Sequence, residues 1–249
     1  MNKSDENNFT KENQAKDSQV QSGQEQDSQA ENSQIKSNPE KNSEKISIKA
    51  LTTESTPFTS DELIHWINSR RSVGNLDLPA PTQAQIEEAI ECAATAPDHK
   101  KLRPWRFIVT AGDARHDLGR ALVEAAEAKA TEEGEILSEK TVKKTQTMPL
   151  RAPLIITVVT QMQEHKKVPH FEQMLSTGAA VQNLILALKA QGFSTVWRTG
   201  LLCNEPAVKA YFGVSADDYV TAFVYTGTSP KGEHPRKPID IEPLVRFES

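Results

Sequence analysis

Between Phe171 and Ala190 the side chains Met174, Leu175, Val181, Leu184, Ile185, Leu186 and Leu188 cover most of the circumference of a helix. A helix apolar nearly all round has to be buried, so the chain must supply layers that enclose it. Leu154 to Thr160 is β-branched enough to be a buried strand. Trp105 to Ala111, Thr195 to Thr199 and Tyr219 to Tyr225 are the other strand candidates.

Helices fall between them. Thr59 with Glu62 forms a capping box that opens a helix through about Arg71, with Leu63, Ile64, Trp66 and Ile67 as its apolar stripe. Thr82 with Gln85 opens a second, in which Ile86, Ala89, Ile90, Ala93 and Ala94 recur at helical spacing until Pro97 ends it. Gly112-Asp113 turns the chain into a charged helix containing Leu118, Leu122 and Ala125. From Ala130 to Met148 the sequence is polar and weakly periodic and reads as a mobile excursion over a site. Asn204 is the expected cap of a short helix that stops at Gly213. Strands and helices mixed in this way indicate an α+β or α/β layer fold. Neither a regular βαβ alternation nor G-x-G-x-x-G is present, which argues against a Rossmann domain.

Residues 1–57 are dominated by Asn, Gln, Ser, Lys and Glu. Roughly the first 45 hold too little apolar surface to offset the entropy of ordering, so this segment reads as a disordered polar tail. Residues 58–249 then suit one domain. A net charge of −5 argues against a nucleic-acid surface. No apolar run long enough to span a membrane and no signal-type apolar segment is seen, so the cytoplasm is the expected location. Cys92 and Cys203 give no disulfide framework, the histidines are scattered, and no metal site is expected.

The residues with chemistry are mostly basic. Arg70-Arg71-Ser72, at the exit of the first helix, offers guanidinium forks and a hydroxyl suited to phosphate oxygens. Cations at a helix C-terminus also complement its dipole with no ligand at all. Ala96-Pro97-Asp98-His99-Lys100 and Arg103-Pro104-Trp105 form a basic loop opening into a strand. Its His99 is either a locally bonded structural residue or a contact to a ligand. Trp197-Arg198-Thr199-Gly200 reads as a strand end with one aromatic in the core and one solvated arginine, or as part of a site.

In order along the chain, Ile67-Asn68-Ser69-Arg70-Arg71-Ser72, Ala96 to Lys100, Arg151-Ala152-Pro153 with Leu154 to Val159, and Ala190-Gln191-Gly192-Phe193 leading to Trp197-Arg198 resemble the nitroreductase family over residues 58–249. The resemblance is closest to its short bacterial, YdjA-like subgroup. It implies an α+β fold with a central, mostly antiparallel sheet flanked by helices. It also implies an FMN-dependent NAD(P)H oxidoreductase that reduces nitroaromatic, quinone or related electron-poor acceptors by ping-pong hydride transfer, with no catalytic side chain because the flavin carries the chemistry.

By the same resemblance Arg70, Arg71, Ser72, Thr95, His99, Trp197, Arg198 and Thr199 contact FMN. Ala187, Leu188, Lys189, Ala190, Gln191 and Gly192 contact NADH or NADPH, although the residues themselves read as the end of the buried helix with Gly192 just past it. Arg236 and Lys237 match a C-terminal basic pair or are solvated tail charge. A homodimer is implied, so that Ser176, Gly178, Ala179 and Ala180 admit either an internal helix or a partner's. A non-catalytic flavin-binding or storage module, and a flavin-dependent dehydrogenase of another metabolite, are the alternative functions.

Overall fold

The two central strands of the sheet are buried along their length, Tyr219 at one end excepted, and this arranges everything else. The computed structural model describes residues 59–231 and 235–248, so the expected disordered tail lies outside the described residues. The strands are β1 (Trp105–Ala111), β2 (Leu154–Thr160), β3 (Ser194–Arg198) and β4 (Tyr219–Gly227). They lie in the order β1-β2-β4-β3 with every neighbouring pair antiparallel. The helices are α1 (Ser60–Ser69), α2 (Gln83–Ala93), α3 (Ala114–Glu132), α4 (Glu139–Gln146), α5 (His170–Ala190) and α6 (Pro206–Phe212).

Alternation along β2 and β4 divides the apolar residues between two cores. Leu154, Ile156, Val158, Ala222 and Val224 pack with α2 and α5. Ile155, Val159, Val220, Phe223 and Tyr225 pack with Leu118, Leu122 and Ala125 of α3 and Val208 of α6. The result is an α+β fold of helices, antiparallel sheet and helices.

Helix α5 meets its burial requirement on one side only. Ala180, Val181, Leu184 and Leu188 are fully enclosed, and Ala180 shares its cluster with Ala89 and Ala93 of α2. The close neighbour expected of the small residues is therefore internal at Ala180. Phe171 and Leu175 remain 62% and 67% exposed on the other side. Helix α1 carries the expected capping box, yet none of its residues is buried. Its Glu62 carboxyl is held below the ordinary value by hydrogen bonds to the Thr59 backbone and side chain. That contribution is present at neutral pH and disappears as pH falls through the carboxyl's titration.

Several local expectations need correction. Helix α2 ends at Ala93, before Pro97, because Thr95 N–H donates to Cys92 O and Ala96 N–H to Ala93 O, closing the last turn. The stretch from Ala130 to Met148 is not an excursion. It completes α3, then forms α4 capped by Ser138, and α4 docks so tightly that a Cβ on Gly119 would collide with the Gln146 carbonyl. Sparse apolar positions hid this, since the contact is made backbone to backbone. The cap of α6 is Glu205 rather than Asn204. Asn204 instead clamps β4, its Oδ1 accepting from Val220 N–H at 2.8 Å and its Nδ2 donating to Val220 O at 3.3 Å. Gly213 does end that helix, at φ 62.

Since Leu184 is completely enclosed between α2, α5 and the sheet, Leu184→Ala should cost about 2–5 kcal/mol in denaturant unfolding. Gln182→Ala, on the exposed side of the same helix, should stay within about 0.5 kcal/mol.

Candidate functional site

Residue Arg70 caps α1 and turns the chain into extended backbone, with φ −58 and ψ 130. The extended segment then runs beside the outer edge of β3. Ser72 pairs in parallel with Thr195, and Val73 N–H donates to Thr195 O at 2.9 Å. Leu76 N–H donates to Arg151 O, and Asp77 pairs with Thr228 beyond the end of β4. A sheet edge needs such a cover for its unpaired backbone groups.

The cover lays Arg70 and Ser72 along β3 and brings Gly74 up to Arg198. Arg70 Nη1 lies 3.5 Å from Ser72 Oγ as donor. Arg198 reaches from β3 until its Nη2 is 3.1 Å from where a Cβ on Gly74 would stand, so the glycine leaves room for the guanidinium. Beneath it, the Arg198 guanidinium carbon sits 5.7 Å from the Tyr225 ring centroid. Burial pushes the Tyr225 phenol above its ordinary value, while Arg198 and Arg151 pull the other way. A cavity of about 510 Å³ opens here between Val196, Arg198, Leu202, Tyr225, Leu122 and Met148.

Trp197 points to the opposite face of β3, as strand alternation requires. Its indole N–H donates to Thr221 O at 3.3 Å. The β2–β4 register shifts between Val158 and Val159 and leaves Thr221 without a ladder partner. The Thr160 and Thr221 hydroxyls, 2.5 Å apart, pin that bulge. Its ring lies toward α5, where a Cβ on Gly178 would be 4.0 Å from Cη2, yet the residue stays 38% exposed. Thr199 is exposed beyond the strand, and Gly200 N–H donates to Cys203 Sγ at 3.1 Å.

Thr95 and His99 belong to a separate group on another side of α5. Thr95 Oγ1 donates to Cys92 O at 2.7 Å and accepts from Asn183 Nδ2 at 3.4 Å. His99 Nδ1 is 2.7 Å from Glu172 Oε2, and Ser176 Oγ donates to Pro97 O at 2.8 Å. A cavity of about 270 Å³ lies among Pro97, Asp98, His99, Glu172 and Leu175. The exposed side chains of Phe171 and Leu175 occupy the α5 surface between this loop and the face that meets Trp197.

The segment from Ala187 to Gly192 is engaged within the chain at Leu188, Lys189 and Gln191, while Ala190 and Gly192 are exposed. Leu188 is fully buried, the Lys189 ammonium is 5.7 Å from the Trp66 ring centroid, and Gln191 Nε2 donates to Gln85 O and Glu88 Oε2. Gly192 follows the cap at φ 90. Arg236 is also engaged, its Nε donating to Asn68 O at 3.1 Å and its Nη2 to Arg70 O at 2.6 Å. It caps the C-terminal carbonyls of α1, a task that sequence spacing does not reveal across that distance. Arg71 Nη1 donates to Pro235 O at 3.4 Å. Gly74, Tyr225 and Glu172 were also not anticipated. Among the described residues no three His, Cys, Asp or Glu side chains gather as a metal site, and no helix is long and apolar enough to cross a membrane.

Comparison with known proteins agrees with this architecture. The model of the Nitroreductase family matches residues 67–228. YdjA of Escherichia coli strain K12, a protein assigned the name of an NAD(P)H nitroreductase, is 39% identical over 167 residues, covering 67% of this chain and 88% of that one. A nitroreductase-like family protein from Bacillus cereus superposes with a TM-score of 0.65 at 22% identity, over 78% of this chain and 99% of that one. The FMN and NADPH-dependent nitroreductase NfnB from Sphigopyxis sp. strain HMH does so at 0.57 and 15% identity, over 75% and 98%.

The two thiols should differ sharply in reactivity. Cys92 is exposed, whereas Cys203 is buried and its thiol is pushed above the ordinary value by burial. Iodoacetamide followed by peptide mass mapping should therefore label Cys92 first in the native protein, and both equally after unfolding.

Proposed function

The chain belongs to the nitroreductase family, and on that premise we propose that it is an FMN-dependent NAD(P)H oxidoreductase acting on nitroaromatics, quinones or similar electron-poor acceptors. The observation that carries this reading is the strip from Arg70 to Gly74 laid along β3, in which Arg70 reaches Ser72 and Gly74 faces the Arg198 guanidinium, from segments more than a hundred residues apart in sequence. Guanidinium groups and a hydroxyl on an extended backbone suit a phosphate and a polyol chain, so the donor set fits FMN. When bound, FMN would supply hydride acceptance and delivery, and the chain then needs no nucleophile of its own.

The protein's part is placement and charge. Arg70 and Ser72 hold the anionic end, with Arg71 behind them. Arg198 fixes a positive charge beside the low-dielectric surface of Tyr225 and Phe223, where it favours negative charge developing on a group held there. Donor and acceptor use one site in turn, which is the ping-pong order. We place the enzyme in the cytoplasm, where reduced nicotinamide nucleotides are at hand.

A homodimer completes this proposal. Leu63, Ile64 and Ile67 of α1, with Ile239, Ile241, Leu244 and Phe247, are one set of exposed apolar side chains, and Phe171, Leu175 and Trp197 are another. A second copy that covers both would also unite the loop carrying Thr95 and His99 with the segment Arg70 to Ser72 of the other protomer, which one chain by itself keeps apart. An obligate interface of this kind buries more than about 2,000 Å².

Purified protein should be yellow, retain FMN rather than FAD, and oxidise NADPH when a nitroaromatic is added. Colourless protein that takes up no added FMN would overturn the cofactor, and flavin without turnover would leave a binding module. Arg70→Ala should weaken FMN by about 1.5–3 kcal/mol, the scale of a charge-assisted hydrogen bond. Leu175→Glu should convert the sedimenting species to a monomer and lower its flavin content, whereas a fully flavinated wild-type monomer would refute the shared site.

A further inference from the structure

In a chain of net charge −5, Lys100, Lys101 and Arg103 crowd one loop, Arg106 follows at the start of β1, and Lys166 and Lys167 stand on another loop. The two loops are tied together by Gln161 N–H donating to Pro104 O at 2.6 Å and Gln163 Nε2 donating to Leu102 O at 2.9 Å. Gln163 and Gln173 then exchange hydrogen bonds of 3.0 and 2.8 Å, anchoring the second loop to the first turn of α5.

The backbone of the first loop is held in an unfavourable shape. Lys100, Lys101 and Arg103 have φ of 63, 54 and 49, a left-handed region that residues with a Cβ rarely occupy unless the surroundings impose it. Here they do. Arg103 N–H donates to Asp98 Oδ2 at 2.7 Å, Lys101 N–H to Asp98 O at 3.2 Å, and Arg106 Nη1 to Arg103 O at 3.0 Å.

The clamp engages backbone and leaves charge exposed. Lys100, Lys101, Arg103, Lys166 and Lys167 are all exposed and form no ion pair among the described residues. The carboxylates nearby are otherwise engaged: Asp98 with Arg103 N–H, Glu172 with His99, and Glu164 with His170 at 3.0 Å. Several mobile ammonium groups around one rigid turn match a compact dianion, because lysine acts on phosphate as a point charge. Neither loop, 98–103 or 164–168, holds a Phe, Tyr or Trp, and their two imidazoles are engaged, His99 with Glu172 and His165 with Lys167 N–H, which sets the patch apart from a nucleic-acid surface.

We propose that the loop Lys100 to Arg103, with Lys166 and Lys167 beside it, binds the 2′-phosphate of the electron donor and so makes NADPH the preferred nucleotide over NADH. This rests on the reading of the chain as an NAD(P)H oxidoreductase. The loop continues directly from His99, so a nucleotide whose nicotinamide reaches the flavin site can leave its adenosine end here. The 2′-phosphate is the one group that distinguishes the two donors.

The test uses the flavin-loaded protein and has a binding arm independent of turnover. By calorimetry at low ionic strength, 2′,5′-ADP should bind at least tenfold more tightly than 5′-AMP, weaken as salt rises, and not be displaced by equimolar inorganic phosphate. Lys100→Asn with Lys101→Asn removes both charges while keeping a residue that tolerates the left-handed backbone. That variant should raise the KM for NADPH tenfold or more and change the KM for NADH less than twofold. Lys166→Ala with Lys167→Ala should act in the same direction. Equal affinity for 2′,5′-ADP and 5′-AMP, displacement by phosphate alone, or an unchanged NADPH-to-NADH ratio in both variants would overturn the assignment. Nucleotide binding as predicted but no NAD(P)H oxidation would instead remove the oxidoreductase reading and leave the phosphate site standing.

Discussion

The hydrogen bond from Val73 N–H to Thr195 O, with the parallel bridge between Ser72 and Thr195, is the contact on which the candidate site depends. β3 is an edge strand, and an uncovered edge would present a row of unpaired backbone groups to solvent or to another chain. The segment following α1 covers that edge and, in the same stroke, lays Arg70 and Ser72 along β3 and sets Gly74 beside Arg198. A structural need, edge protection, thus brings the strip from Arg70 to Gly74 onto the strand that carries Arg198. Gly74 matters for the same reason, since any side chain there would contest the space of the Arg198 guanidinium.

The end of β3 divides its two functional candidates between opposite faces. Arg198 lies over Tyr225 on the α3–α6 side, and Trp197 lies toward α5. Period-two alternation forbids both from touching one small group from the same side. The bulge opposite Val158 and Val159 adds to this by freeing the Thr221 carbonyl for the Trp197 indole. Bulges of this kind re-aim side chains near sites at the cost of a ladder bond. Trp197 is accordingly fixed at its polar end while its ring remains partly open, the condition of a residue that packs against something beyond its own core.

Much of this was legible in the residues. β-branched runs located β1 and β2 to the residue, capping boxes located the starts of α1 and α2, and the all-round apolar pattern of α5 announced a central helix. What escaped was carried by backbone or by distance. Helix α4 docks through Gly119 against a carbonyl, which leaves no apolar periodicity to read. Asn204 looked like a cap because capping and strand clamping use the same amide, and only tertiary placement chose Val220. Arg236 reads as tail charge until α1 shows its unpaired C-terminal carbonyls. The family resemblance grouped Arg70, Ser72, Trp197 and Arg198 with Thr95 and His99. One chain brings the first set to β3 and keeps the second on a different flank of α5.

Helix α5 explains that separation. One flank is core, through Ala180, Leu184 and Leu188, and another tethers the loop 95–99 through Glu172, Ser176 and Asn183. The remaining flank, with Phe171 and Leu175, is uncovered. Its 21 residues span about 30 Å at about 1.5 Å per residue, so His99 at one end and the segment Ala187 to Gly192 at the other are too far apart within a protomer to grip the same ring. The far end is also committed to α1 and α2 through Lys189 and Gln191. The basic turn at Lys100 and Lys101 stands at the near end, beside His99, where the charge of a nucleotide's far phosphate can be met without crowding the core.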